Sequence, residues 1–216
     1  MKSLINTKYR EINLEDMLSQ LGEDKTKNIL SSFVCPQNVD VQNFIREKAI
    51  IFSNCGYAKT YLVYWQAEES DFGEEKKELV GYYAIGTKLF KISRDNSIGR
   101  ISSKKWRNIC QVANTRSSSS ECALSAHLVG QLSKNYDNGN ELLISGDDLL
   151  AMALQKILEV QKLIGGKIVY VECENEEKLI SFYKRNGFEL VGERFLDGDE
   201  TGIKGQSLMQ LYKYLD

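Results

Sequence analysis

Ser145 and Gly146 stand directly before a helical pattern of apolar residues, an arrangement that is suited to holding a phosphate group. From Leu149 onward, leucine, alanine and isoleucine recur at helical spacing, which predicts an amphipathic helix. The serine hydroxyl can cap that helix, and the glycine lets another group approach its backbone closely. Amide hydrogens at the helix start, with the positive end of the helix dipole, would then bind an anion. An ordinary loop-to-helix cap is the alternative interpretation of the same two residues.

Two side chains are candidates for a general base. His127, the single histidine, lies on the polar side of the alternating run Cys122–Lys134, and Glu172 lies in the β-branched run Ile168–Cys173. A lone histidine is more often a hydrogen-bonded structural residue, and Cys173 is interpreted as packing in the core. The residue types by themselves therefore leave the base unassigned.

The periodicity predicts the elements that position these residues. Helices are expected within residues 1–32, where Asn13 caps Leu14–Leu21, within residues 33–51, and after Asn175, which caps a helix that ends near Asn186-Gly187. Five extended runs predict strands: Lys59–Gln66, Leu79–Lys91, Cys122–Lys134, Ile168–Cys173 and Gln206–Leu215. Arg194–Gly205 is expected to form a hairpin loop before the last of these strands. This order predicts one α/β domain over residues 1–216, with a mixed twisted sheet of about six to seven strands and helices on both faces.

The composition is that of an ordinary globular protein. The chain has 216 residues, 42% hydrophobic and 27% charged, with a net charge of −2, so it has no general attraction to nucleic acid or anionic membranes. No apolar run could cross a bilayer and no signal-peptide core follows Met1, so we expect a cytoplasmic protein with no membrane partner. The five cysteines are widely spread without a Cys-x-x-Cys pair, which indicates free thiols, and no metal site is expected.

A polar insert is expected at about residues 93–121. Within it, Ser103–Val112 predicts a short helix with Trp106 and Ile109 facing inward. The insert also carries four basic residues, namely Lys104, Lys105, Arg107 and Arg116. A basic patch with an aromatic residue could bind RNA, whereas a solvated insert is the alternative that the small polar run around it favours.

Taken together, the helix after Ser145-Gly146, the strand Ile168–Cys173 and the helix ending Phe182-Tyr183-x-x-x-Gly187-Phe188 resemble the GCN5-related N-acetyltransferases. The run Gly130-Gln-Leu-Ser-Lys134 is similar to the strand that holds the pantetheine arm of acetyl-CoA in that family. The resemblance covers about residues 122–192 and extends over 30–92, where the chain looks like the phage-borne and toxin-like branch.

The resemblance implies a fold of the acyl-CoA N-acyltransferase type, acetyl-CoA as co-substrate, and transfer of its acetyl group to a primary amine. It implies Tyr183 as the residue that donates a proton to the departing coenzyme A thiolate, with a core aromatic residue as the alternative. The cofactor-binding residues that it implies are Leu132, Ser133, Lys134, Ile144, Ser145, Gly146, Asp147, Asp148 and Leu149, together with Asn175, which we interpret chiefly as a helix cap.

The chain departs from the family at the phosphate loop. The family pattern is Gln/Arg-x-x-Gly-x-Gly/Ala, and aligned on Gly146 this chain has Glu141 at the first position and Ile144 at the first glycine. The acidic pair Asp147 and Asp148 suits the helix dipole but repels a pyrophosphate, so we expect a lowered affinity for the cofactor.

The acceptor amine is not determined by these residues. The toxin-like branch acetylates the amino group of aminoacyl-tRNA, so the resemblance implies a tRNA partner, while a protein or small-molecule amine stays open, and a homodimer is a further possibility. The alternative function is a catalytically weak acyl-CoA-binding or interaction module of the same fold, which the altered phosphate loop motivates.

Overall fold

The computed structural model describes residues 8–66, 77–95, 101–116, 118–196 and 205–215. The first part of the chain contains strand β1 (Tyr9–Asn13), helices α1 (Leu14–Leu21), α2 (Glu23–Ser31) and α3 (Val39–Asn43), a π-helical turn (Phe44–Lys48), helix α4 (Ala49–Asn54), and strands β2 (Lys59–Gln66) and β3 (Lys77–Ser93). The second part contains α5 (Ser103–Val112), β4 (Glu121–Lys134), a 3₁₀ turn (Asp137–Leu142), α6 (Gly146–Ile164), β5 (Ile168–Cys173), α7 (Glu177–Arg185), β6 (Glu189–Phe195) and β7 (Ser207–Tyr214).

The strands form one seven-stranded sheet in the order β1-β2-β3-β4-β5-β7-β6. The pairs β1–β2, β2–β3, β5–β7 and β6–β7 are antiparallel, whereas β4 and β5 are parallel. The sheet is therefore mixed, and the predicted α/β class and strand number are confirmed. None of the helices in the described ranges is both long and apolar enough to span a bilayer.

The chain packs as two compact units. One unit contains Met1–Ile85 and Gly130–Gln155, and the other contains Gly86–Val129 and Lys156–Asp216. In the first unit, the fully buried Tyr82 donates a hydrogen bond to the Val41 carbonyl oxygen at 2.7 Å and packs edge-on against Phe33. In the second, Phe90 stacks on Tyr170 with ring centroids 4.3 Å apart. The assignment of residues 1–216 to one domain stays a prediction.

Several predicted elements are confirmed with their local chemistry. Asn13 caps α1 because its side-chain oxygen accepts a hydrogen bond from the Glu15 amide at 2.9 Å. In the predicted insert, α5 spans Ser103–Val112 and buries Trp106 and Ile109. Helix α7 ends as predicted, since Asn186 is its C-cap and Gly187 takes a φ of 84° that favours glycine.

Two strands were not predicted. Strand β1 lies in the region expected to be helical, where pairing with β2 from Tyr9↔Trp65 to Asn13↔Tyr61 favours an extended backbone. Strand β6 includes Arg194, which was expected in a loop; residues 197–204 of that loop lie outside the described residues. The last strand was predicted as the run Gln206–Leu215, and β7 lies there, between β5 and β6, with Leu208 to Tyr212 buried.

The expected cap at Asn175 is wrong. Helix α7 begins at Glu177, and its N-cap residue is Glu176, which has no capping hydrogen bond from its side chain. Asn175 is exposed and lies one residue too early to cap the first turn. The alternation of β4 also breaks at Ala126 and His127, which are both buried, so His127 does not lie on a solvated face.

Candidate active site

The start of α6 carries a reciprocal capping interaction. The Ser145 hydroxyl accepts a hydrogen bond from the Asp148 amide at 3.0 Å and donates one to the Asp148 carboxylate at 2.6 Å. The first bond is the N-cap bond of a capping box, and the second joins the two side chains, so Ser145 and Asp148 fix the helix start together. The predicted helix start at Ser145-Gly146 is confirmed, and anion binding there stays a prediction. Asp148 is held at the positive end of the helix dipole, where it stabilises the helix and opposes a second anion.

A side-chain hydrogen bond connects the loop before α6 to strand β1. The Tyr9 hydroxyl donates a hydrogen bond to the Leu143 carbonyl oxygen at 2.7 Å. Burial raises the pKa of Tyr9, and the nearby Asp148 charge raises it further. Tyr9 was missed by the sequence reasoning because its strand was not predicted; no periodic signal in five residues would have revealed it.

The end of β4, which the resemblance assigns to pantetheine, is held by a buried asparagine. Asn135 is 1% exposed, and its amide nitrogen donates to the Leu79 carbonyl oxygen at 2.8 Å. Its side-chain oxygen accepts from the Val34 amide at 2.9 Å and the Asp137 amide at 3.2 Å, and its own amide donates to the Val80 carbonyl oxygen at 2.8 Å. Asn135 therefore joins the end of β4 to β3 and to the chain near Val34.

Gly81 of β3 brings two of the predicted cofactor residues together. A Cβ atom at Gly81 would lie 2.8 Å from the Ser133 carbonyl oxygen and 3.2 Å from a methyl group of Leu149. The first distance is shorter than a carbon and a backbone oxygen tolerate, so only glycine allows β3 this close to Ser133 and to the first turn of α6. The sequence reasoning placed Gly81 in a strand but did not find this contact.

The side chains of the predicted pantetheine segment are engaged within the protein. Ser133 is buried, and its hydroxyl lies 2.9 Å from the Lys134 carbonyl oxygen and 3.4 Å from the Cys35 sulfur. The Lys134 ammonium donates to the Glu141 carbonyl oxygen at 2.8 Å. This segment therefore offers a ligand its backbone more than its side chains. The predicted Ile144 is also buried, whereas Leu132 is half-buried.

Glu141 occupies the position where the family pattern has Gln or Arg. One of its carboxylate oxygens is buried and has no hydrogen-bond donor among the described residues. A buried acceptor without a donor costs free energy, so it stands out against the satisfied polar groups around it.

In the second unit, Tyr183 lies on α7 with its ring enclosed. It is 9% exposed and packs edge-on against Phe182 and Phe188, with ring centroids 5.0 and 5.6 Å away. The turn that ends α7 fixes Phe188, whose amide donates to the Tyr183 carbonyl oxygen at 3.1 Å. Burial raises the pKa of Tyr183 well above its usual value, and the neighbouring Cys173 adds to that effect. Burial also raises the pKa of Cys173 to about 12, so its thiol is not a nucleophile.

The two candidate bases are both engaged in structural contacts. His127 is 4% exposed, and its Nε2 lies 2.9 Å from the Gly165 carbonyl oxygen, which can only accept, so Nε2 carries the proton. A Cβ atom at Gly166 would lie 2.6 Å from the same Nε2, so the glycine turn closes tightly over the ring. The Glu172 carboxylate pairs with Arg194 at 2.7 Å and accepts from the Gln210 amide at 3.0 Å.

The basic patch differs from its predicted form. Trp106 is 1% exposed, so its ring cannot stack on a nucleotide base. Lys105 pairs with Glu189 at 2.6 Å, which reduces the positive charge of the patch. An RNA contact through this aromatic residue is therefore excluded.

The ladder between β4 and β5 is short. Its pairs are His127↔Val169 and Leu128↔Tyr170, although β4 continues to Lys134 and β5 to Cys173. The pairing between these two parallel strands is therefore confined to two residues of each.

No protein-family model and no curated protein matches this chain. Solved structures do resemble it. A tyrosine-to-phenylalanine mutant of KacT has a TM-score of 0.57 and 15% identity, over 94% of both chains. AtaT in complex with acetyl-methionyl-tRNAfMet has a TM-score of 0.55 and 16% identity over 93% of both chains.

A structure of AtaTR bound with AcCoA has a TM-score of 0.54 and 15% identity, over 96% of this chain and 93% of that one. Identities this low are evidence of a shared fold, and they do not transfer an activity. The chain shares its fold with KacT and AtaT.

Proposed function

We propose that the chain is an N-acetyltransferase that moves an acetyl group from acetyl-CoA to a primary amine. The observation that carries the proposal is the short ladder between β4 and β5, because parallel strands that stop pairing can hold an extended ligand arm by its amides. The fold shared with KacT and AtaT supports the same assignment.

The residues of the first unit fit acetyl-CoA through their backbone. Leu132, Ser133 and Lys134 would hold the pantetheine arm, since Gly81 and Asn135 keep that backbone in place while the Ser133 side chain is turned inward. The turn from Ile144 to Leu149 would hold the pyrophosphate at the start of α6. The carboxylates of Asp147 and Asp148 oppose that charge, so we expect a modest affinity.

The reaction requires the amine nitrogen to attack the thioester carbon. A carbon–nitrogen bond forms, the carbon–sulfur bond breaks, the sulfur leaves as a thiolate, and the amine loses one proton to water. Tyr183 is the residue that would stabilise the thiolate. Because burial raises its pKa, the phenol stays protonated, and it would act by donating a hydrogen bond to the sulfur more than by giving up its proton.

Among acceptors, an aminoacyl group on RNA agrees best with the absence of an available base in the described part of the site. His127 and Glu172 are engaged with Gly165 and Arg194. The α-amine of an amino-acid ester is less basic than a lysine amine, because the ester withdraws electrons, so much of it is neutral near pH 7. The structure of AtaT with an acetylated aminoacyl-tRNA is consistent with this choice.

The five cysteines are free thiols, which agrees with a protein that works in the reducing cytoplasm.

The first test is stabilisation by acetyl-CoA. A ligand that binds only the native state adds about 2.7 kcal/mol at 100 times its Kd, so the melting temperature should rise with acetyl-CoA concentration. In Gly146→Val, a branched side chain would stand where the pyrophosphate approaches, and the shift should be lost while the protein stays folded. Ala151→Val, at an exposed position of the same helix that receives the same side chain, is the control that should keep the shift. Equal shifts in both variants would move the phosphate site elsewhere.

The second test identifies the acceptor. Radiolabelled acetyl-CoA is incubated with a charged tRNA pool, lysine peptides and small polyamines. Label on charged tRNA supports the RNA acceptor, and label only on peptides or polyamines rejects it while keeping the enzyme class.

An acyl-CoA-binding module without turnover is the second candidate. Two features of the phosphate loop favour it because both lower the expected affinity for a pyrophosphate. One carboxylate oxygen of Glu141 is buried without a donor among the described residues, and the Asp148 amide already donates to Ser145. A thermal shift with acetyl-CoA, with no label transferred to any amine, would support this alternative.

A further inference from the structure

A cavity of about 650 Å³ lies in the second unit. It is bordered by the end of β3, the link between α5 and β4, the start of β4, and strands β6 and β7. This volume is in the range of sites that bind small organic groups. None of the residues assigned above to acetyl-CoA lines it.

The cavity presents both donors and acceptors. Lys91 and Arg194 contribute positive charge, and Glu121 and Glu193 contribute negative charge. Ser93 and the Gln210 amide add neutral polar groups. The Thr115 and Ser119 hydroxyls donate to backbone carbonyl oxygens, so they offer a ligand acceptors. Two carboxylates make the cavity a poor site for a phosphate alone, and two cations make it a poor site for a polyamine. The mixture suits a group that both donates and accepts, such as the edge of a nucleobase with its ribose.

Part of the cavity wall is rigid. Gln210 is 5% exposed and donates to Glu172, whose other carboxylate oxygen lies 2.7 Å from Arg194. The Arg194 guanidinium also donates to the Phe195 carbonyl oxygen at 3.1 Å. These contacts orient the wall before any ligand binds, which lowers the entropic cost of recognition.

Phe195 borders the cavity with an aromatic ring that is 72% exposed. Proteins often bind unpaired bases with an exposed aromatic ring beside hydrogen-bonding groups, because every base has a face that stacks on such a ring. Phe195 therefore supplies the stacking surface that the buried Trp106 cannot.

The cavity and Tyr183 lie on opposite sides of β5. Gln210 of the cavity contacts Glu172, and Cys173, the next residue, faces Tyr183 closely enough to raise its pKa. Successive side chains of a strand point to opposite faces. A ligand in the cavity would therefore lie across one strand from the residue that stabilises the leaving sulfur.

We propose that this cavity binds an unpaired nucleoside at the end of the RNA acceptor, stacked on Phe195 and read by the polar groups beside it. The proposal rests on the proposed transfer to an aminoacyl group on RNA. It predicts that RNA recognition and acetyl-CoA binding use different residues, so each can be removed without the other.

The test compares Phe195→Leu, which keeps an apolar side chain but removes the ring, with Phe195→Trp, which keeps a stacking ring. Tyr57→Leu is the matched control, because Tyr57 is 67% exposed and lies in the other unit. Binding of a fluorescent charged RNA is measured by anisotropy, and KM is measured for that RNA and for an amino-acid methyl ester. Phe195→Leu should weaken RNA binding roughly 5- to 100-fold and raise the RNA KM similarly, as for loss of one stacked base.

The methyl ester should separate the two proposals. With the methyl ester as acceptor, kcat and KM should be the same in Phe195→Leu as in the native protein. Phe195→Trp and Tyr57→Leu should both bind RNA like the native protein. Unchanged RNA binding in Phe195→Leu, or no RNA binding by the native protein, would overturn the nucleoside site even if the ester is acetylated. Absence of acetylation of every amine would instead reject the proposed enzyme, and the anisotropy result would still decide whether Phe195 binds RNA.

Discussion

The segment around Ser133 and the segment around Tyr183 are ordered by different parts of the chain. Near Ser133, side chains are turned inward and hold the backbone, as Asn135 does with four hydrogen bonds and Gly81 does by having no side chain. Near Tyr183, a single side chain is enclosed by the rings of Phe182 and Phe188.

The difference determines which substitutions each segment tolerates. A backbone site depends on the residues that shape it, so changes at Gly81 or Asn135 should affect folding and cofactor affinity together. A side-chain site depends on one functional group, so removing the Tyr183 hydroxyl should affect turnover alone. Variants that separate these effects test the comparison directly.

Tyr183→Phe should have the largest effect. If the hydroxyl stabilises the leaving thiolate, turnover should fall by roughly 10²–10⁴ with little change in acetyl-CoA affinity or in unfolding free energy. Single-turnover kinetics with acetyl-CoA and a charged RNA measure the loss. Tyr212→Phe is the matched control, since Tyr212 is also buried, with its hydroxyl 3.5 Å from Glu189, and should retain turnover. A Tyr183→Phe enzyme with near-normal turnover would make Tyr183 a core aromatic residue only.

Asn135→Ala should show the opposite pattern. It removes the acceptor of the Val34 and Asp137 amides, while the Leu79 carbonyl oxygen keeps the Asn140 amide as a donor at 3.3 Å. Each polar group left unpaired away from water costs about 1–3 kcal/mol. Urea unfolding should therefore show a loss of about 2–5 kcal/mol, with weaker acetyl-CoA binding in the fraction that stays folded. Asn138→Gly is the control, because Asn138 is exposed in the same turn with a φ of 51° and should cost nothing. A stable Asn135→Ala protein with native affinity would contradict the backbone-holding role.

Alkaline pH should destabilise the second unit through its buried thiols and phenols. Burial raises the pKa of Cys173 to about 12 and of Cys122 to about 11, from the ordinary 9.0. Since the unfolded chain loses these protons first, stability is complete below about pH 9 and falls as the pH rises toward 11–12. Each such group contributes a slope of at most about 1.4 kcal/mol per pH unit.

Urea unfolding at pH 8, 9.5 and 11 measures this fall. Cys173→Ala should flatten the slope, and Cys55→Ser, at an exposed position, should leave it unchanged. A slope that is the same in all three proteins would mean that burial of Cys173 does not perturb its ionisation.

His127→Gln should have the smallest effect. A glutamine amide can replace the hydrogen bond to the Gly165 carbonyl oxygen, so we expect a cost of about 1 kcal/mol and turnover within about threefold of native. The pH–rate profile should keep its shape, because no proton passes through the ring. Loss of an acidic limb from that profile in His127→Gln would instead identify His127 as the base.

The local elements were predictable wherever a short-range pattern and a capping residue agreed. The Asn13 cap, helix α5 and the ends of α6 and α7 near Gly146 and Gly187 all follow from spacing and from residues that favour one local geometry. The strands that were predicted wrongly share one cause, because each depends on pairing with a strand that is distant in sequence. Strand β1 exists because β2 pairs with it, and β7 is an internal strand because β5 and β6 pair with its two edges.

The same division runs through the candidate site. By itself the sequence determined the helix start at Ser145-Gly146, the helix that carries Tyr183 and the mixed α/β class, because these depend on contacts within a few residues. Only the tertiary structure decided that His127 and Glu172 are engaged, that Lys105 pairs with Glu189, and that Gly81 lies against Ser133. Those facts depend on which side chain meets which across the sheet, and hydrophobic periodicity carries no information about such pairings.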